Sequence, residues 1–274
     1  MRVWLNGRVL PVDEARVSVL DHGLTVGDGV FETLKVVAGV PFAVSRHVRR
    51  LRRSAQALGL PEPDPELVMA AMADAIAANR AETGDVGRLR ITYTSGQGPL
   101  GSDRGPGPVT LLAVVAPASP WPPTTSVVTV AWPRNERGPL AGVKSTSYAE
   151  NSIALAHAKQ LGASEAVLPN TRGELCEGTG SNVFVVRGDE VLTPPLDSGC
   201  LAGVTRALVI EWCGAREEAL TMADFRAADE VFLTSSTRDV HPVIRVDGRD
   251  VSSSSVGERY RRDFLSRAAD EPDP

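Results

Sequence analysis

Apolar and polar positions along the chain alternate in two rhythms, a period near two that marks strands and a period near 3.6 that marks amphipathic helices. Near the N-terminus VWLNGRVLP reads as a hairpin, with Asn6-Gly7 supplying the positive φ angles of a tight turn. From residue 30 to 37 the alternation predicts a strand, with Phe31, Thr33 and Lys35 on one face and Glu32, Leu34 and Val36 on the other. Two helices follow. Ser45 is placed to cap the first, which carries Val48, Leu51, Ala55 and Leu58 on one stripe and stops at Gly59. Asp64-Pro65 opens the second, with Val68, Met72 and Ile76 on its apolar side. Strand patterns return at 89–94 and 109–116, closing an α/β or α+β unit over residues 1–116.

Residues 117–124, PASPWPPT, hold four prolines and read as a linker. Residues 125–274 form a second unit in this reading. Strands are expected at 126–132, 165–168, 182–186, 231–234 and 240–246, and helices at 148–161, 203–213 and from Val256 onward. Asp247-Gly248 marks a turn, the four serines at 252–255 a loop, and the tail AADEPDP a frayed end. No internal repeat is visible.

Composition narrows the class. The net charge of −5 gives no electrostatic reason for a nucleic-acid or anionic-membrane partner. Cys176, Cys200 and Cys213 are widely separated and odd in number, which fits a reduced, cytoplasmic setting better than a disulfide framework. The first residues carry no long apolar run, so no signal peptide is expected, and nothing reaches membrane-spanning length. The four histidines lack metal-ligand spacing, and no metal site is expected.

Twenty-six arginines stand against three lysines, Lys35, Lys144 and Lys159. A bias toward arginine leaves lysine where arginine cannot serve, and Schiff-base chemistry is such a place, because a guanidinium is never a neutral amine. Lys144 sits in GVKSTSYAEN, a break between a strand and a helix. Glu177 opens EGTGSNVFVV; the carboxylate either faces a ligand's basic atom across a close-approaching backbone or is a solvated residue on a glycine turn. Gly203-Val204-Thr205 begins a helix, where free N–H groups suit a phosphate, although many helices begin this way without a ligand. Thr234 to Thr237 places four hydroxyls in a row at a strand end. Arg50 stands among five arginines at 46–53, a pattern that is by default a solvated face. Arg90, in an otherwise apolar strand, faces either solvent or a carboxylate in a pocket.

Taken in order, DHGLTVGDGVFETLK, HVRRL, GVKSTSYAEN, EAVLPNTRGELCEGTGSNVFVV, LAGVTR and FLTSSTRDVHPV make a chain that resembles the class IV pyridoxal-phosphate-dependent aminotransferases nearly end to end. That family includes D-amino-acid aminotransferase, branched-chain aminotransferase and aminodeoxychorismate lyase. The resemblance implies a two-domain fold of type IV, with a smaller N-terminal α/β domain and a larger C-terminal pseudo-barrel domain that binds pyridoxal 5′-phosphate. It implies that Lys144 forms the internal aldimine and shuttles the proton, and that Glu177 keeps the pyridine nitrogen protonated. Arg50, the backbone at Val204 and Thr205, and Ser236 and Thr237 would anchor the phosphate; Tyr148 would donate to the phenolic oxygen. Phe31, Thr33 and Lys35 would line the substrate pocket, with Thr237 also near the substrate. The family's active site lies between the domains and takes a loop, here near residues 98–105, from a partner subunit, so a homodimer is expected.

In D-amino-acid aminotransferases that loop carries an Arg-x-His carboxylate trap. GPLGSDRG lacks it, which leaves Arg90 or Arg104 to bind the substrate carboxylate. The expectation is a transaminase acting between a D-amino acid or related primary amine and a 2-keto acid. The alternative is the lyase that eliminates pyruvate from aminodeoxychorismate to give 4-aminobenzoate, with a branched-chain aminotransferase behind both. Gly96 to Gly101 matches GxGxxG literally, but Pro99 and the lack of a following helix argue against a dinucleotide site. No G-x-S-x-G elbow is present.

Overall fold

Asn6 and Gly7 take φ angles of 47° and 86° and join β1 (Arg2–Leu5) to β2 (Arg8–Pro11), the expected hairpin. In this computed structural model residues 1–251 and 254–274 are described; Ser252 and Ser253, half of the four-serine loop, lie outside the described residues. After the hairpin come α1 (His22–Thr25), β3 (Gly29–Val37), β4 (Val40–Pro41), α2 (Val44–Ala57), α3 (Pro65–Ala78), α4 (Arg80–Thr83), β5 (Val86–Thr94) and β6 (Thr110–Pro117). The strands form one sheet in the order β2-β1-β6-β5-β3-β4. The even-numbered face of β3 joins the core: Val30, Leu34 and Val36 pack with Leu89, Ile91 and Tyr93 of β5 against Val48, Leu51, Val68 and Met72 of α2 and α3. The odd-numbered face carries Phe31, Thr33 and Lys35. Register sets Thr33 opposite Arg90 and Lys35 opposite Arg88, so those arginines share it.

Two expectations in this unit are corrected. Ser45 does not cap α2. The N-cap is Ala43 in the left-handed region at φ 56°, without a side-chain cap. The acceptors come from the chain's last residues: Ser45 N–H and Oγ donate to the two carboxylate oxygens of Asp273 at 2.8 and 2.6 Å, and Ala43 N–H donates to Pro272 O at 2.7 Å. The tail is therefore docked rather than frayed, because exposed N–H groups at a helix start and the helix dipole favour a carboxylate there.

The structure also divides the chain differently from the 1–116 and 125–274 boundaries. One unit comprises Met1–Pro120, Val143–Tyr148 and Glu271–Pro274; the other comprises Trp121–Gly142 and Ala149–Asp270. The Lys144 segment belongs to the first because it extends along β3: Phe31 N–H donates to Lys144 O at 3.0 Å, and Thr146 N–H donates to Gly29 O at 2.8 Å.

The second unit runs β7 (Thr125–Thr129), α5 (Ala149–Gln160), β8 (Glu165–Pro169), β9 (Leu175–Gly178), β10 (Asn182–Arg187), β11 (Glu190–Thr193), α6 (Val204–Cys213), β12 (Arg216–Glu217), α7 (Met222–Ala227), β13 (Glu230–Ser235), β14 (Asp239–Val246), β15 (Arg249–Asp250) and α8 (Ser255–Asp270). Its nine-stranded sheet follows the order β12-β11-β10-β13-β14-β7-β8-β9, with β15 beside β14. β7 stops at Thr129, short of the expected 126–132 span, and the chain turns away through Trp132-Pro133. Val127, Val167, Val183, Val185, Leu233 and Val243 from the central strands form the core of this sheet.

Candidate active site

In the first unit Lys144, Phe31, Arg90 and Tyr148 meet around one ring. The Lys144 ammonium stands 4.4 Å from the centroid of Phe31, and the Arg90 guanidinium carbon 3.5 Å from it. Tyr148 meets the same ring edge-on, with centroids 5.2 Å apart. The backbone holding Lys144 is fixed by the β3 bonds and by the Gly27 carbonyl, which accepts from Thr146 Oγ1 at 2.9 Å and Ser147 Oγ at 3.0 Å. The motif beginning at Asp21 thus supports the lysine segment. Thr33 and Lys35 continue the same strand face.

Arg50 is not on a solvated face. It is buried, and its Nε and one Nη donate to the two oxygens of Glu32 at 2.8 and 2.6 Å, while His47 Nδ1 lies 2.6 Å from Glu32. Burial alone would raise the Glu32 carboxyl, but the charge and hydrogen bonds of Arg50, with His47, outweigh it and hold the carboxyl at about 2. Burial pushes His47 down against the pull of Glu32. The sequence carried one signal of this cluster: Glu32 alternates with Leu34 and Val36 on the face destined for the core.

Arg104 is a correction. Its guanidinium donates to both oxygens of Asp28 at 2.7 Å and to the carbonyls of Leu58 and Gly59, each at 2.7 Å. Arg104 holds the Asp28 carboxyl below its usual range. With its donors tied to the end of α2, it is a loop anchor, and Arg90 is left as the carboxylate-binding candidate. The same loop is held by His22, fully buried on α1, whose Nε2 lies 2.8 Å from Pro99 O.

In the second unit Glu177, at the end of β9, accepts from Leu201 N–H at 2.9 Å and from Arg134 Nε at 3.1 Å. Arg134 also reaches Glu150 and Asn151 at 3.3 Å. Nothing in the pattern of Trp132-Pro133-Arg134 pointed to this role. The solvated reading of Glu177 is excluded, since its side chain is only 12 % exposed. α6 begins at Val204 behind Gly203, and no side chain caps it. A Cβ at Gly203 would lie 2.0 Å from Asn182 Oδ1, so a side chain here would displace Asn182, and glycine lets the helix start approach β10 closely. Two hydroxyls, Ser181 Oγ just before β10 and Thr234 Oγ1 near the end of its partner β13, are buried with no hydrogen-bond partner among the described residues. Uncapped N–H groups beside α6 and buried hydroxyls lacking acceptors or donors are what an anionic group would satisfy. Ser236 and Thr237 form the tip of the β13–β14 hairpin. Burial pushes the thiols of Cys176 and Cys200 up, Cys200 to about 11, and so favours the uncharged thiol at both.

The chain as a whole is similar to known proteins. Residues 29–246 match the family described as Amino-transferase class IV. A putative branched-chain-amino-acid aminotransferase of Methanocaldococcus jannaschii is 36% identical over 272 residues, covering 94% of this chain and 92% of its own. A D-alanine aminotransferase of Bacillus licheniformis is 29% identical over 265 residues, covering 94% and 92%. Among solved structures, a fold IV transaminase from Curtobacterium pusillum superposes with a TM-score of 0.87 at 30% identity, covering 96% of this chain and 92% of that one. The chain belongs to the class IV aminotransferases, pyridoxal-phosphate-dependent enzymes of fold type IV.

Proposed function

We propose that the protein is a transaminase moving an amino group between a D-amino acid or related primary amine and a 2-keto acid, with Lys144 as the amine that takes up the aldehyde of pyridoxal 5′-phosphate. The observation that carries this reading is the shared Phe31 ring, which both the Lys144 amine and the Arg90 guanidinium meet, a pair of groups suited to a substrate bearing both an amino group and a carboxylate. Bound, the cofactor supplies an electron sink for the carbon that loses its proton. Lys144 Nζ carries that proton. Glu177, oriented by Arg134 and Leu201 N–H, would hold the ring nitrogen protonated. The N–H groups of Val204 and Thr205, the hydroxyls of Ser236 and Thr237, and Arg50 would hold the phosphate; Tyr148 would donate to the phenolic oxygen. Phe31, Thr33, Lys35 and Thr237 bound the substrate. The D-alanine relative supports the D-amino-acid side, and the branched-chain relative makes a branched-chain donor the second reading. The cations Lys35, Arg88 and Arg90 on one face of the β3–β5 pair favour substrates with anionic groups over plain aliphatic ones.

Mixing the cofactor-loaded protein with D-alanine or D-glutamate in a single turnover is expected to bleach the visible band and release one keto acid per site. In Arg90→Ala the half-saturating amino acid concentration should rise about 10- to 100-fold, the loss of a charge-assisted hydrogen bond, while cofactor affinity holds. No conversion with any amino acid, together with pyruvate release from aminodeoxychorismate, would replace the transaminase with the lyase.

A homodimer and a cytoplasmic setting belong to the same reading. Val19, Leu24 and Leu100 are 76, 70 and 83% exposed on segments joined by the His22–Pro99 bond, a surface that supports association. Sedimentation equilibrium should give twice the chain mass, and Leu24→Asp with Leu100→Asp the single mass; a monomeric wild type removes the dimer. None of the described helices is long and apolar enough to cross a membrane.

A further inference from the structure

The hairpin joining β13 to β14 has a three-residue tip. Ser235 pairs with Asp239, Arg238 N–H donates to Ser235 O at 3.2 Å, and Asp239 follows at φ 56°. This is the turn-plus-left-handed geometry of a short β-hairpin, with Ser236 and Thr237 at its central positions. Such a tip is held only by its two strands unless a side chain ties it down. Arg238 does so from within the second unit. Its guanidinium donates to Glu165 Oε2 at 2.7 Å, lies 3.1 Å from His241 Nδ1, and stacks on the Trp121 ring with its carbon 3.8 Å from the centroid. Arg238 is 8% exposed and Glu165 2%.

The other oxygen of Glu165 faces a different turn. Glu165 Oε1 accepts from Gly180 N–H at 2.6 Å and from the Thr179 hydroxyl. Thr179 and Gly180 lie between Glu177 on β9 and Asn182 on β10, and Asn151 Nδ2 donates to Thr179 O at 2.6 Å. One buried carboxylate at the start of β8 therefore links the hairpin tip to the turn that follows Glu177. The family assignment uses neither Glu165 nor Arg238.

We propose that Glu165 and Arg238 act as positioning residues, a buried clamp that fixes the Ser236–Thr237 tip relative to the Thr179–Gly180 turn so that phosphate and ring-nitrogen contacts are met by one bound cofactor. This rests on the reading that Ser236 and Thr237 hold the cofactor's phosphate. Arg238 is required as a fork: a planar guanidinium can bond Glu165 and stack on Trp121 at once, whereas an ammonium offers a single point of charge. The clamp makes no contact with substrate.

The test compares two probes on the full-length protein freed of cofactor, pyridoxal 5′-phosphate and pyridoxal, which lacks the phosphate. The readout is the ratio of their dissociation constants in wild type, Arg238→Met, Arg238→Lys and Glu165→Gln. A ratio taken on one preparation cancels any loss of folded protein, and Arg238→Lys and Glu165→Gln keep the experiment alive if the methionine variant fails to fold. Wild type is expected to favour the phosphorylated probe by at least 100-fold. Arg238→Met and Glu165→Gln should narrow that preference at least 10-fold, mainly by weakening the phosphorylated probe, and Arg238→Lys should recover part of it. A lowered thermal midpoint with an unchanged ratio in the folded variants means a purely structural ion pair and overturns the clamp. A wild type that binds both probes equally overturns instead the assignment of a phosphate to the Ser236–Thr237 tip, and the clamp with it.

Discussion

Lys144→Ala is expected to lack the visible absorbance band that pyridoxal 5′-phosphate gives with wild type, and to transfer amino groups about 1000-fold more slowly, the scale of losing a positioned proton carrier. The effect is chemical rather than structural. The Lys144 segment is held by backbone bonds, Phe31 N–H to Lys144 O and Thr146 N–H to Gly29 O, and alanine leaves both in place. Removing the side chain takes away one of two cationic groups on the Phe31 ring and leaves Arg90 on it. Lys144→Arg should fail equally, because a guanidinium keeps its charge and cannot take up an aldehyde. Added methylamine should restore part of the rate to the alanine variant and none to the arginine one. Both substitutions are read by visible absorbance and single-turnover keto acid formation. A band that survives both would place the covalent attachment at Lys35 or Lys159 and sink the assignment.

The largest stability effect is expected at Glu32. Glu32→Gln leaves the buried Arg50 guanidinium without its counter-charge, and unfolding by urea should show a loss of about 3–5 kcal/mol. Glu32→Leu combined with Arg50→Met should recover much of this, since the cost comes from an uncompensated charge and not from the missing pair. Acid should act on the same cluster. Glu32 is held at about 2 in the folded protein against 4.5 as its ordinary value, so the unfolded chain binds the proton more readily. Its contribution, on the order of 3 kcal/mol, is complete above pH 4.5 and lost as pH falls toward 2. His47 is also lowered, chiefly by burial, and its neutral form is favoured in the fold. That contribution is complete above its ordinary value of 6.5 and declines below it, so both groups make stability fall with acid. His241, lowered by burial and by Arg238 to about 4, adds in the same direction between 6.5 and 4. Wild type should therefore lose stability between pH 6.5 and 4 and more steeply below. Glu32→Gln should flatten the lower limb. An unchanged lower limb would detach Glu32 from acid unfolding.

Much of this was readable in the chain. Periodicity placed the N-terminal hairpin, β3, α3 with its Asp64 cap, β5, β6 and most of the second unit's main elements, because each is specified by local pattern and turn chemistry. The ordered motifs around Lys144, Glu177, Gly203 and Ser236 were legible for the same reason: a short stretch of sequence carries each. The boundary reading at Ser45 failed because a capping hydroxyl is a local rule, and α2 is completed instead by Asp273, 228 residues away.

The sequence by itself determined the fold class, the family and the identity of the candidate lysine and carboxylate. Tertiary structure decided what those groups touch. It buried Glu32 with Arg50, gave Glu177 the Arg134 guanidinium, tied Arg104 to Asp28, and linked Arg238 to Glu165. The reason is physical. Alternation tells which face of a strand turns inward, but a buried charge is stable only with a partner, and that partner comes from whichever distant element the packing brings within hydrogen-bond reach.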